Sequence, residues 1–279
     1  MKGIASIKYM VLHAFILGFG LMMLYPVLWL ISSSFKPTIL IFSEQGLWPS
    51  RTTLEHYWNG WFGLRNIEFS RFFINSLIIC LIAIVGTVLS SSMAAFAFAR
   101  VDFPLKKLWF AIMLGTIMLP GHVTLIPQYI IFHQIGWVDT FLPLTVPKFV
   151  AEAFYVFLIV QFIRGIPKEL DESAKIDGCG PVTLYWRIIM PLCAPALITT
   201  AIFTFMGTWD DFFSQLIYLS DISKFTVPLG LRLFLDSSGD SNWGAVFAMS
   251  VLSIVPSLIV FFAGQKYFVD GISTTGLKG

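Results

Sequence analysis

Charge is what this sequence has least of. Only 12% of its 279 residues are Asp, Glu, Lys or Arg, too few to cover the surface of a water-soluble domain of that length. The signs nearly balance at a formal net charge of +2, and no basic patch with interleaved polar residues marks a nucleic-acid surface. Cysteine is scarce too. Cys80, Cys179 and Cys193 have no CxxC or Cys/His spacing, and an odd number does not build a disulfide framework. His13, His56, His122 and His133 stand apart, so no neighbouring pair suggests zinc, and packing or surface roles are expected. A Gly-x4-Gly-Lys-[Ser/Thr] loop is missing, so ATP phosphates are not cradled by that route. Neither a nucleophile–base pair nor a metal-ligand set suggests an intramembrane enzyme. Repeated halves with ionisable pairs near a midplane, the mark of an ion-coupled secondary transporter, are not found either.

What is abundant is apolar bulk: 57% hydrophobic residues, with 28 Phe and 9 Trp, suited to lipid-facing helices and interfacial belts. Crossing about 30 Å of hydrocarbon takes about 20 helical residues. Six runs qualify: 9–31, 72–99, 108–131, 142–163, 192–219 and 243–264. Uniform apolar runs of this length mean helices rather than barrel strands, so the expected fold is an all-α polytopic membrane protein with six transmembrane helices. The first run is too long for a signal-peptide core and lacks a clean cleavage site, so it is read as a retained span. Basic residues including Lys2, Lys8, Arg100, Lys106, Lys107, Arg164, Lys168 and Lys266 gather on one side. That places both termini in the cytoplasm. Two outer loops, 32–71 and about 220–242, are long enough to dock a partner or merely to connect.

The loop between the fourth and fifth runs carries its own punctuation. In 165–181, Pro167 suits a first helical position. Glu169, Asp171 and Glu172 fall where the helix dipole favours negative charge. Gly178 suits a left-handed cap. Pro181 then opens a second short helix, expected to stop at Pro191. Ile166, Leu170 and Ala174 fall four apart as an apolar stripe, while the small Ser173 and Ala174 would let another protein approach closely. Taken alone, these residues also fit a tight connector lying flat on lipid headgroups.

The spacing narrows that choice. Glu172-Ser173-Ala174, three residues, Gly178, nine residues, Ile188, one residue and Met190-Pro191 resembles the EAA motif of ABC importer permeases, with Ser173 in place of Ala and Met190 in place of Leu. Over nearly its whole length the chain is similar to the carbohydrate-type, maltose-importer-like permeases of binding-protein-dependent transport. The likeness includes Phe73-Ile74-Asn75-Ser76, Met118-Leu119-Pro120 and Thr208-Trp209-Asp210-Asp211-Phe212, and extends to the tail Gly276-Leu277-Lys278-Gly279. Asp210 stands where Asn is usual, and Cys179 where Ala is usual.

The resemblance implies a single type I importer permease domain over 1–279. Residues 164–191 would form the cytoplasmic coupling loop, and its 167–178 helix would dock on an ATPase subunit. Glu172, Ser173, Ala174, Asp177 and Gly178 would make that contact, helped by the tail Gly276, Leu277 and Lys278. Cofactors would be none on this chain, with ATP and Mg held by two partner ATPases. The other partners implied are a second homologous permease in a heterodimer, an extracellular or periplasmic sugar-binding protein and membrane lipid. The setting would be a bacterial or archaeal cytoplasmic membrane. Helical rise carries Asp210 about 22 Å beyond Pro195, where a carboxylate should face protein or a water-filled cavity. Trp209, Asp210 and Asp211 are therefore candidates for the substrate path, against the alternative of interfacial anchoring. By position, Asp236, Ser237, Ser238, Gly239 and Asp240 are candidates for docking the binding protein. A permease for a non-sugar solute such as glycerol phosphate or amino acids is the first alternative, and an ion-coupled secondary transporter the second.

Overall fold

A computed structural model describes residues 2–63, 67–235 and 242–276, and the regular structure there is helical. Among the described residues, four segments are long and apolar enough to cross a membrane: Tyr9–Ser34, Phe69–Arg100, Leu142–Gly165 and Trp243–Lys266. A fifth is possible from the pair Pro181–Leu192 and Ala194–Trp209, which meet at a 77° bend. All four segments fall where the apolar runs place them.

Three of the six expected runs are not single helices. The 142–163 run opens with the short turns Leu142–Thr145 and Val146–Phe149, and its regular helix is Ala153–Gly165, entered through an extended Glu152. The 108–131 run is divided into Lys106–Thr116 and Gly121–Gln134. Between them the amides of Ile117, Met118 and Leu119 each bond a carbonyl three residues back, a tightened exit turn. Pro120, extended at ψ 126°, has no N–H to continue the ladder and biases Leu119 away from the helical region. The 192–219 run is likewise divided into Ala194–Trp209 and Phe213–Tyr218. Hydropathy registers how apolar a run is and carries no record of a broken backbone within it.

The chain forms two compact units. One comprises Met1–Phe69 and Leu231–Ile254. Its helices Leu40–Ser43 and Glu55–Phe62 lie in the first expected outer loop. That loop is organised around a buried lysine. Lys36 is wholly inaccessible, and its Nζ donates to the Glu44 and Gly46 carbonyls at 2.7 Å each. His56 Nε2–H donates to the Lys36 carbonyl at 2.8 Å. Gly244 lies against the His56 ring, which a Cβ there would meet at 2.2 Å, so the packing role expected of His56 is the one observed. Tyr57, Trp58, Trp61 and Phe62, with Leu54 and Leu252, line an apolar groove of about 490 Å³.

The second unit comprises Ser70–Gly230 and Val255–Gly279. Its larger core joins Ala95 and Phe96 near the end of the Phe69–Arg100 helix to Val156, Ile159, Val160 and Ile163 of the Ala153–Gly165 helix. Leu184, Tyr185, Ile189, Met190 and Cys193 complete it from beyond the 165–181 loop. A smaller cluster of Ile79, Leu144, Tyr218, Leu219 and Leu229 packs elsewhere in the unit.

Candidate functional site

The 165–181 loop is a helix with a built end. The helix is Glu169–Ile176. It begins later than Pro167 suggests: the Lys168 carbonyl accepts from the Asp171 and Glu172 amides, making Lys168 the N-cap. At the other end Gly178 is left-handed, φ +79°. Gly178 N–H donates to the Lys175 carbonyl at 3.0 Å, and Cys179 N–H donates to the Ala174 carbonyl at 2.9 Å. Those two bonds form a Schellman motif. Cys179 and Ala174 both pack on the larger core, supplying the apolar contact that accompanies the motif. Pro181 then stands at the first position of the next helix, as expected.

That next helix does not stop at Pro191. It runs Pro181–Leu192 with a π-helical stretch at Leu184–Ile189. In a regular turn the proline ring would meet the Arg187 carbonyl; a π turn placed just ahead of it opens the helix there. Cys193 then carries the 77° bend into Ala194–Trp209.

Burial sorts the motif residues into two faces. Glu172, Ser173, Asp177 and Gly178 are exposed. Ile176 is 87% exposed, large for an apolar side chain. Ala174, by contrast, is only 5% exposed and belongs to the chain's own core. Its small side chain allows a close approach within the chain. The expected Ile166–Leu170–Ala174 stripe dissolves for a related reason. Ile166 precedes the helix in an extended conformation, ψ 128°, and Leu170 is 43% exposed.

The inward face is anchored by a residue that motif spacing does not reveal. Asp171 is buried, and its Oδ2 lies 2.8 Å from Nε of Arg100, the last residue of the Phe69–Arg100 helix. Arg100 Nη2 donates to the Ile166 carbonyl at 2.8 Å. The Nε–Oδ2 approach is a charge contact outside hydrogen-bond alignment, so the directed bond of the guanidinium goes to Ile166. A basic residue closing one span and an acid inside the loop were the available sequence signals.

At the other candidate site, Ala194–Trp209 ends and Phe213–Tyr218 begins after a break that contains Asp210 and Asp211. Asp210 is exposed and its amide still bonds the Met206 carbonyl. Asp211 Oδ1 accepts from the Ser214 amide at 3.1 Å, serving the start of the next helix. Trp209 is 2% exposed and stacks on Phe205, with ring centroids 5.5 Å apart. Its ring is thus part of the protein packing. The supporting residue missed by sequence reasoning is Gln215, buried to 1%. Its Nε2 donates to the Thr208 carbonyl at 3.1 Å, and its Oε1 accepts from the Thr226 hydroxyl. A break inside an apolar helix needs such partners for the carbonyls it frees.

A clasp outside the four long apolar segments joins two further loops. Asp139, left-handed at φ +61°, accepts from the Ser220 and Asp221 amides at 3.0 Å each and from Lys224 Nζ at 2.7 Å. The Lys224 ammonium, reinforced by those amides, holds the Asp139 carboxyl down to about 2. The candidate residues Asp236, Ser237, Ser238, Gly239 and Asp240 lie outside the described residues. So do Leu277 and Lys278, while Gly276 ends the Trp243–Gly276 helix.

Comparison with known proteins agrees with this arrangement. Residues 86–273 match the family described as binding-protein-dependent transport system inner membrane component. The chain is 34% identical to the probable ABC transporter permease protein YurM of Bacillus subtilis, over 91% of this chain and 84% of that protein. It is also 34% identical to the trehalose/maltose transport system permease protein MalG of Thermococcus litoralis, over 92% of each. A crystal structure of a bacterial ABC transporter involved in the import of the acidic polysaccharide alginate superposes with a TM-score of 0.82. That match covers 93% of this chain and 96% of that one at 21% identity, a likeness of fold. With these matches, the punctuated loop and the apolar helices have one home: the chain belongs to the binding-protein-dependent transport system inner membrane components and is a multi-pass permease subunit of an ABC importer, not itself an enzyme.

Proposed function

We propose that this permease imports a sugar or oligosaccharide delivered by an extracellular binding protein, as one half of a heterodimer with a second permease. On this reading the chain is a type I permease with six spans. The third is made from Lys106–Thr116 and Gly121–Gln134, the fifth from Ala194–Trp209 and Phe213–Tyr218. Both termini are cytoplasmic. The Glu169–Ile176 helix seats in a cleft of an ATPase partner, and ATP-driven closure of the ATPases moves the helices through it, a switch on the scale of whole domains.

The observation that supports coupling most directly is the two-faced helix. Glu172, Ser173, Ile176 and Asp177 are exposed, while Asp171 and Ala174 on the other side are buried in the chain. A docking element needs both an offered face and a fixed one. Ala174 accordingly contributes by fixing the helix, and Gly178 by ending it. The sugar class draws support from the likeness to the trehalose/maltose permease. Asp210 and Asp211 are the substrate-path candidates, with Trp209 as packing behind them. The assignments of 236–240 to the binding protein and of 276–278 to the ATPases rest on the resemblance alone.

Reconstitution with the partner permease, the ATPases and the binding protein tests the reading. ATP-dependent uptake of one of a panel of labelled oligosaccharides is expected, and uptake of glycerol phosphate instead would move the chain to the non-sugar alternative. Glu172→Lys should abolish uptake while leaving membrane insertion intact. Undiminished uptake by that variant would refute the docking role.

A further inference from the structure

We propose that Arg100 is a positioning residue for coupling: one guanidinium fixes both the approach to the Glu169–Ile176 helix and its first turn, and ties them to the end of the Phe69–Arg100 span. The inference rests on the reading that this helix docks on an ATPase. It goes beyond that reading by naming the joint through which movement would reach the membrane helices.

Four observations converge on the joint. The Arg100 side chain is 4% exposed and the Asp171 side chain 11%, so water screens the pair little. Arg100 Nη2 holds the Ile166 carbonyl on one side while Nε meets the Asp171 carboxylate on the other, both at 2.8 Å. The two anchor points flank the N-cap, and the helix cannot tilt at its start without losing one. At its far end the same helix is held by Ala174 and Cys179 against the larger core. The exposed docking residues therefore sit on a helix fixed at both ends, one fixture being the last residue of a membrane-spanning helix.

Energy alone does not explain this pair. Replacing a buried ion pair with well-packed apolar groups is often neutral or stabilising, whereas removing one partner strands a charge. Asp171 Oδ1 is buried without a hydrogen-bond partner, so the pair is incompletely satisfied. A joint that only stabilised the fold would be served as well by two apolar side chains. The guanidinium has a different property: its planar fork aims a directed N–H at the Ile166 carbonyl while its delocalised charge faces Asp171, a division of roles that lysine, a point charge, does not offer.

The experiment compares Arg100→Met, Arg100→Lys, Asp171→Asn and the apolar pair Arg100→Met/Asp171→Leu in the complete reconstituted importer. The readout is sugar transported per ATP hydrolysed, measured at equal amounts of assembled complex. Hydrogen exchange over 166–179 is followed in parallel. Arg100→Lys and the apolar pair are expected to assemble, yet to lower the transport-to-ATP ratio several-fold and to speed exchange at the helix start. The proposal is overturned if the apolar pair restores the ratio of the parent, or if every variant only lowers the amount of complex. Glu172→Lys runs alongside. If it leaves the ratio intact, docking through this helix fails; if it uncouples while the Arg100 and Asp171 variants do not, only the joint fails.

Discussion

Gly178 offers a clean test of the loop's geometry, because space and backbone make opposite demands there. Its φ is +79°, yet a Cβ built on it would meet nothing within 4 Å. Any cost of Gly178→Ala is therefore conformational. An L-residue with a Cβ pays roughly 1–2 kcal/mol in the left-handed region, and restriction of the unfolded chain returns about 0.4–1 kcal/mol. The net is near 1 kcal/mol, and with tenfold per about 1.4 kcal/mol that is roughly a fivefold increase in local opening. The amides that report it are those of Gly178 and Cys179, which close the turn onto Lys175 and Ala174. Asn tolerates this conformation, so Gly178→Asn should exchange at close to the parent rate. Hydrogen exchange over 173–180, with uptake measured on the same preparations, separates the two variants. If Ala and Asn behave alike, or Asn is the worse, the left-handed cap is not what holds this turn.

Other substitutions probe the remaining joints. Gly230→Ala places a Cβ 2.3 Å from the Phe72 ring, itself wholly buried. Thermal unfolding in detergent should show a loss of about 1–3 kcal/mol from overpacking, while Gly207→Ala, with nothing within 4 Å, should lose nothing. Gln215→Leu deprives the Thr208 carbonyl and the Thr226 hydroxyl of their partner. A cost of about 1–3 kcal/mol is expected for leaving such buried groups unsatisfied, read as a lower unfolding temperature. The Asp139 clasp should be acid-sensitive. Its carboxyl is depressed in the folded chain, so its contribution is complete above an ordinary carboxylate value of about 4 and is lost as pH falls toward about 2. Limited pepsin cleavage within 219–225 should rise over that window in the parent, and Asp139→Asn should remove the step.

Much of the fold was legible because length and apolarity are local properties. The Phe69–Arg100 helix overshoots its 72–99 run only slightly, and the Trp243–Gly276 helix contains all of 243–264. The loop's C-terminal punctuation was legible for the same reason: Gly178 and Pro181 act through their own backbones. What stayed hidden depended on distant partners. Ala174 reads as a small residue that allows close approach, and only folding shows it packed in the chain's own core. Trp209 offers an aromatic face in the sequence, and only folding places Phe205 and Phe73 beside it. The break at Asp210 depends on Gln215, whose amide makes the interruption tolerable. Pro191 shows the converse, a local stop signal overridden by a change of helix type.

That change of helix type gives the spacing between Gly178 and Pro191 a meaning of angle as well as distance. Leu184, Tyr185, Ile189, Met190 and Cys193 all turn into the core, whereas Trp186 is 54% exposed. Each residue advances an α-helix by about 100°, and the wider π turn by less. One residue added or removed in this interval would leave composition and hydropathy almost unchanged, yet swing Met190 and Cys193 out of phase with the core. The motif's fixed count is thus a record of rotational phase, kept on both sides of a proline that would otherwise have ended the helix.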